Sequence, residues 1–354
     1  MLSDKKQKKI LFLYSELAGY FLACLNKLIA SDSAEVHLVH WPVNKEAPFQ
    51  FTFNSKLRLY NKNNYDANAL ADLVKKIDPD LVYCSGWIDK DYVKICSSFK
   101  KRIPVVAGLD NQWKGSVKQH IASVIRSFKI KKTFTHCWVP GKKQEEYALK
   151  LGFGNENILQ GFYSCDFDFF YQLGEQNKEL KKKKFPKRFV YVGRYYAFKG
   201  VNDLWNSFID LQKEKPNEWE LWCLGTGDIT PVKHEKIKHF GFVQPGKMPD
   251  FIADTGVFIL PSHFEPWGVV VHEFAAAGFP LICSNEVGAA DAFIKENENG
   301  SVFRSADKEE LKQAMKKMMN SSDEQLIKMG YKSVEMASQI TPAKWTATIL
   351  TLLK

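Results

Sequence analysis

Short apolar runs alternating with amphipathic stretches organise this chain from its start. KKILFLYS (8–15) reads as a strand, and AGYFLACLNKLIAS (18–31) has the apolar spacing of a helix, with Gly19 near the junction. AEVHLVHW (34–41), PDLVYCSG (79–86), 103–107 with Pro104, 135–139 and ENILQGF (156–162) predict further strands. Helical spacing falls on 68–77 and 142–151. Apolar strands separated by helices predict a parallel sheet covered on both faces.

The pattern breaks over 171–187, a polar, basic stretch with Gly174 and Pro186 that reads as a linker. A second series follows. Its strands are RFVYVGR (188–194), EWELWCLG (218–225), IKHFGFV (237–243), TGVFILPS (255–262) and FPLICSN (279–285), and its helices cover 202–214, 269–277 and 308–319. The expected architecture is α/β, with two doubly wound Rossmann-like domains, 1–170 and 188–335, facing across a cleft. The tail, 336–354, reads as a helix after Pro342 with Thr341 as its cap. It can pack on its own domain or cross back to the first.

Ligands of open α/β sheets lie beyond the C-terminal strand ends, so the residues there carry the candidate chemistry. RFVYVGRYYAFKG ends a strand at Gly193-Arg194 and reaches Lys199-Gly200 at the next helix. Glycine lets backbone approach a ligand closely, and Arg and Lys supply charge for phosphate oxygens. A glycine turn with two surface cations is the plainer alternative. In FILPSHFEPWGVVVHEFAAAGFPLICS, Glu265 lies in the loop after a strand, Gly268 opens a helix, and Glu273 follows in that helix. The N–H groups of Gly268 and Val269 can hold a phosphate, and the two carboxylates can bond different hydroxyl-bearing parts of one long ligand. Alternatively, Glu265 favours the helix start electrostatically and Glu273 is solvated. The apolar neighbours of Glu273 argue instead for a partner or a ligand. His272 reads as a packed core histidine.

Composition narrows the setting. The chain has 354 residues, enough for two domains, and seven scattered cysteines without metal-like spacing, which suits a reducing compartment. The start lacks the long apolar core of a signal peptide, and no window nears the ~20 apolar residues of a membrane span. The expected location is the cytoplasm. The formal net charge is +10, concentrated at 5–9, 129–132, 142–143 and 181–184. No nucleic-acid module accompanies these clusters, so nucleic acid is not an expected partner. Arg126, Lys129, Lys131 and Lys132 interleave with Phe128 and Ile130, which suits an anionic membrane surface at the inner face of the cell membrane. No metal site is expected: no Asp-x-Asp stands at an obvious strand end in the second half, and Asp166 and Asp168, which have that spacing, lie near the linker, away from the residues that would hold phosphate.

The second half resembles the donor domain of family 4 glycosyltransferases, the retaining GT-B group also called glycosyl transferases group 1. The matching features run from Gly193-Arg194 and Lys199-Gly200 through Leu224-Gly225 to Gly227 and Phe240 to Val243. They continue through Pro261-Ser262, Glu265 and Glu273, Gly278-Phe279-Pro280 and Asn299-Gly300. The resemblance implies a metal-independent, cofactor-free enzyme that moves a sugar from a nucleotide diphosphate sugar to a glycan or lipid-linked acceptor in cell-envelope or surface polysaccharide synthesis, lipopolysaccharide included. By that resemblance Arg194 and Lys199 hold the diphosphate, with Gly193 beside them, and Glu273 binds the ribose. Glu265 contacts the transferred sugar, with Trp267, Gly268 and Val269 nearby. Gly241, Phe242 and Val243 line the base pocket, and the expected donor is a UDP-sugar slightly ahead of a GDP-sugar.

The first half follows the family more loosely. Of the glycine pair many members carry after the first strand, only Gly19 is present. Asp110 stands near the place of a common histidine. It can orient or deprotonate an acceptor hydroxyl, or it can belong to an Asp-Asn turn or helix cap. Trp113 is either a sugar-stacking platform or a helix anchor. A sugar-nucleotide epimerase of similar fold and a non-catalytic nucleotide- or glycan-binding protein remain as alternatives. A dehydrogenase is disfavoured, because no G-x-G-x-x-G follows the first strand.

Overall fold

The computed structural model describes residues 7–43 and 48–353; Lys5 and Lys6 of the first basic cluster lie outside them. The chain divides into two compact units, Met1–Ser164 with Pro342–Lys354, and Cys165–Thr341.

The first unit runs β1 (Lys8–Tyr14), α1 (Gly19–Ala30), β2 (Ala34–His40), β3 (Arg58–Asn61), α2 (Ala67–Ile77) and β4 (Leu81–Cys84). It continues through α3 (Lys90–Phe99), β5 (Val105–Gly108), α4 (Val117–Thr133), β6 (His136–Val139), α5 (Lys142–Lys150) and β7 (Ile158–Gln160). Its strands form one parallel sheet in the order β3-β2-β1-β4-β5-β6-β7. Both faces are buried, which is why the strands read as unbroken apolar runs. Along β1, Leu11 and Leu13 pack with Leu70 and Val74 of α2 and Tyr92 of α3, whereas Ile10 and Phe12 pack with Leu25 and Leu28 of α1. Asp66, Asp89 and Ser116 cap α2, α3 and α4 by accepting bonds from first-turn N–H groups.

The second unit runs α6 (Phe167–Lys183), β8 (Arg188–Val192), α7 (Val201–Glu214), β9 (Glu220–Leu224), β10 (Ile237–His239), α8 (Met248–Asp254) and β11 (Val257–Leu260). There follow α9 (Val269–Ala276), β12 (Leu281–Ser284), α10 (Ala290–Phe293), β13 (Gly300–Phe303), α11 (Lys308–Asn320) and α12 (Asp323–Ala337). Its parallel sheet has the order β10-β9-β8-β11-β12-β13. Asp307 caps α11, and Ser322 with Gln325 forms a capping box on α12. The two parallel-sheet units are the expected α/β, doubly wound class.

The structure corrects the sequence reading in several places, and residues 165–170, expected in the first domain, belong to the second unit. Residues 171–187 are no linker: most of them belong to α6, which is part of the second unit. The helix was masked because its inner face is narrow. Phe170 and Leu173 are buried, and Lys181 is buried too, with its ammonium 3.8 Å above the centre of the Phe279 ring. Gly174 permits a close crossing, since a Cβ there would lie 2.7 Å from the Ala277 oxygen. The strand expected over 237–243 stops at His239, and the strand expected over 156–162 shrinks to Ile158–Gln160.

The final helix, α13 (Pro342–Leu350), belongs to the first unit. Trp345 is 2% exposed and stacks on Trp138 at 4.8 Å, with Phe12 and Phe21 completing its surroundings. Trp345→Ala should lower stability by about 3–5 kcal/mol, the cost of removing a buried indole. Denaturant unfolding checks this, and a loss below ~1 kcal/mol would mean that α13 is dispensable to the unit.

Candidate functional site

In the second unit the strand order jumps from β8 to β11, which makes the C-terminal edge of these two strands the switch point of the sheet. The loops after β8 and β9 meet there backbone to backbone. Gly193 N donates to Leu224 O at 3.0 Å, and Tyr195 N donates to Thr226 O at 2.8 Å. A Cβ on Gly225 would stand 1.9 Å from Gly193 O, a separation no side chain tolerates. Gly241 adjoins the same rim, its Cβ position being 4.0 Å from Thr226 Cγ2. Phe242 and Val243 follow it as half-buried loop residues. Arg194 is half-buried at the rim, and its carbonyl accepts the Tyr191 hydroxyl at 2.8 Å.

A 3-10 turn, Ala197–Lys199, ends at Gly200. That residue has φ +68°, and a Cβ on it would lie 2.2 Å from Pro261 O. His263 N and Phe264 N both donate to Phe198 O. The turn is thereby pressed on the end of β11, and Lys199 forms an ion pair with Glu265. The two side chains are only 17% and 15% exposed, so water screens the pair weakly. Glu265 bridges in parallel to Val287, and its carbonyl accepts Gly288 N at 3.0 Å. Its charge helps to raise the Tyr191 phenol and the Cys283 thiol, although burial is the larger cause for both.

Gly268, with φ +90°, opens α9, and its Cβ position is 3.0 Å from Glu265 Cγ. Trp267 before it is buried edge-on against Phe293, and Val269 begins the helix half-buried. Glu273, one turn on, keeps partial exposure. Burial, and then the charge of Asp166, push its carboxyl up to about 7. Asp166, near the linker in the sequence, lies within the electrostatic reach of Glu273. Among the described residues no three His, Cys, Asp or Glu side chains group as a metal site.

His272 is the packed core residue the sequence suggested. Nδ1 accepts Cys165 N at 3.1 Å, Nε2 donates to Ala337 O at 3.0 Å, and the ring stacks on Phe293. Burial holds it down to about 4, and hence neutral. Sequence reasoning missed a second polar cluster at this edge: His263 Nε2 meets Asp203 Oδ2 at 2.7 Å, and the Lys308 ammonium lies 3.4 Å from Asp203 Oδ1. Its members are spread over three elements, which left no local signal.

In the first unit Asp110 follows β5. Its Oδ2 accepts the Tyr163 hydroxyl at 3.2 Å, and its carbonyl accepts Gln144 Nε2 at 3.1 Å. Burial raises its carboxyl, partly opposed by the Tyr163 hydroxyl and by backbone hydrogen bonds at Asp110 and Asn111. The helix-cap alternative is excluded, because Ser116 caps α4. Tyr20 meets Tyr163 edge-on, and the charge of Asp110 adds to the burial that raises both phenols. Nothing in the sequence pointed to these tyrosines. Gly19 begins α1, and the space a Cβ would take there is open. Trp113 packs against His120 and Tyr147, which joins α4 to α5 as an anchor.

Residues 174–335 match the family model of glycosyl transferases group 1. The glycogen synthase of Mycobacterium tuberculosis (strain ATCC 25618 / H37Rv) is 23% identical over 273 residues, covering 70% of this chain and 64% of that protein. The chain therefore spans about 64% of the length of the glycogen synthase it matches. The capsular polysaccharide biosynthesis glycosyltransferase CapM of Staphylococcus aureus is 27% identical over 187 residues, covering 50% and 47%. The crystal structure of Anabaena HepE in complex with UDP-glucose superposes with TM-score 0.69 at 15% identity, covering 97% of this chain and 99% of that one. The second unit thus carries a glycosyl transferases group 1 domain, and the fold is of the GT-B class.

The Glu273 shift has a consequence for stability. Its carboxyl moves from an ordinary 4.5 to about 7. Between these values the folded chain keeps a proton that the unfolded chain releases, so this group costs stability as pH rises through the window. The melting temperature of Glu273→Gln, relative to the unsubstituted chain, should therefore rise across pH 4.5 to 7. A pH-independent difference would remove the raised carboxyl.

Proposed function

We propose that this chain is a retaining, metal-independent glycosyltransferase that moves a sugar from a nucleotide diphosphate sugar to a glycan or lipid-linked acceptor, in cell-envelope or surface polysaccharide synthesis. The observation that carries the proposal is the shielded Lys199–Glu265 pair, set beside the glycine rim and the opening of α9 at the switch point. The group 1 domain supports it, as do relatives named for glycogen and capsular polysaccharide synthesis. The UDP-glucose held by the HepE structure favours a UDP-sugar over a GDP-sugar as donor. The seven cysteines are buried and none is in a disulfide, which accords with a reducing, cytoplasmic setting.

In this reading the second unit takes the donor and the first takes the acceptor. Backbone at Gly193 and Gly241 to Val243 approaches the nucleotide. Arg194 and Lys199 hold the diphosphate, and Glu273 accepts the ribose hydroxyls. Glu265, paired with Lys199, contacts the transferred sugar beside the N–H groups of Trp267 to Val269. The bond from the anomeric carbon to the diphosphate oxygen breaks as the acceptor oxygen bonds that carbon on the same face. The acceptor proton passes to the departing phosphate, whose growing charge Arg194 and Lys199 stabilise. Asp110, steadied by Tyr163, orients the acceptor hydroxyl.

Arg194→Ala or Lys199→Ala should lower turnover by roughly tenfold to a thousandfold with the fold intact. In calorimetric titrations, Glu273→Gln should weaken a ribonucleoside diphosphate far more than its 2′-deoxy form. Glu265→Gln should spare nucleotide binding and impair transfer. If no nucleoside diphosphate binds at millimolar concentration, the donor site is misassigned. If one binds but no acceptor is glycosylated, the chain is a binding protein.

Transfer should also persist in excess chelator. Loss of activity there, with rescue by magnesium or manganese, would defeat the metal-independent reading.

A further inference from the structure

We infer that α4 is an interfacial anchor that lays the first unit on an anionic lipid bilayer. Val117, Ile121, Val124, Ile125 and Phe128 are each between 58% and 75% exposed. They recur at i, i+4, i+7, i+8 and i+11, so they form one continuous stripe on a single side of the helix. Ser123 and Ile130, also spaced by two turns, are buried and mark the opposite, core-facing side. The sequence reading placed Ile130 among the membrane-facing residues; the structure turns it inward. Scattered exposed aliphatics need no explanation, but five large ones aligned on one helix do.

The charge around the stripe selects the occupant. The helix carries Lys118, Arg126, Lys129, Lys131 and Lys132 and no acidic residue. All five cations are exposed, and Lys132 sits 4.0 Å over the Phe128 ring, so cation and apolar surface are presented together. A second copy of this chain would bring the same positive charge against itself, whereas anionic headgroups complement it. Seventeen residues give a helix about 25 Å long, which suits lying in the headgroup plane. Among the described residues no helix is long and apolar enough to cross a membrane, so α4 rests on the bilayer rather than spanning it.

The inference does not depend on the transfer reading, because vesicle binding needs neither donor nor acceptor. The full chain is sedimented with phosphatidylcholine vesicles, and with phosphatidylcholine vesicles containing phosphatidylglycerol, at low and high salt. Binding is expected to the anionic vesicles, weakened by salt. Ile125→Glu with Phe128→Glu should cut the affinity roughly tenfold or more, and Lys129→Glu with Lys132→Glu should do the same while raising no affinity for neutral vesicles. Should the first pair fail to fold by circular dichroism, Val124→Ser with Phe128→Ser removes apolar contact without adding charge, and the same loss is expected. Equal recovery on neutral and anionic vesicles, or undiminished binding by the folded variants, would overturn the anchor. So would a chain that ignores vesicles but sediments as a dimer that Phe128→Glu dissociates, since the stripe would then belong to a second copy.

Discussion

Two contacts at the end of the second sheet leave no room for a Cβ: Gly225 against the carbonyl of Gly193, and Gly200 against that of Pro261. Each is a backbone-to-backbone approach across neighbouring strands. Together they pull the loops after β8, β9 and β11 into one rim, and the rim leaves main chain, rather than side-chain bulk, facing the space beyond the strand ends. The position of Lys199 depends on the second contact. The turn that carries it is fixed by Gly200 and by the bonds from His263 and Phe264 to Phe198, and only this places its ammonium on Glu265. Charge at the site is therefore arranged by glycines that bear none.

The two glutamates of the site illustrate how environment divides like groups. Glu265 is shielded but paired, and its partner offsets the cost of removing it from water. Glu273 is set apart by burial and by the charge of Asp166, and its carboxyl rises to about 7. A carboxyl near neutrality can accept from a diol when ionised and can donate when protonated. That versatility comes at a cost in stability, which a strand-end helix can bear because the apolar residues of α9 on either side are buried.

Legibility in the sequence followed the range of the interactions. The strands were readable because both faces of each sheet are buried. The strand-end motifs were readable because glycine, cation and carboxylate lie within a few residues of one another. The helix α6 was not, because its inner face uses Lys181 as if it were apolar, and the polarity of 171–187 imitated a linker. The surroundings of Asp110 were hidden for another reason. Tyr163 lies far along the chain from Asp110, and Tyr20 far on the other side, and only the sheet order brings them together. The influence of Asp166 on Glu273 was hidden for the same reason, because the two lie far apart along the chain.

At His272 the packing of the second unit meets its candidate site. Its ring must present a bare Nδ1 to Cys165 N–H and a protonated Nε2 to the Ala337 carbonyl, which fixes a single neutral tautomer. Cys165 is the first residue of the second unit, and Ala337 ends its last helix. One imidazole therefore ties both ends of the unit to α9, and the next residue along α9 is Glu273. The low basicity of His272 protects this arrangement, because a proton on Nδ1 would meet the Cys165 donor head-on. The helix that carries a candidate ligand group is thus also the one on which the unit closes. Changes in α9 that alter the site will consequently alter the packing of the unit's ends, and the two effects have to be separated by measuring the fold alongside any activity.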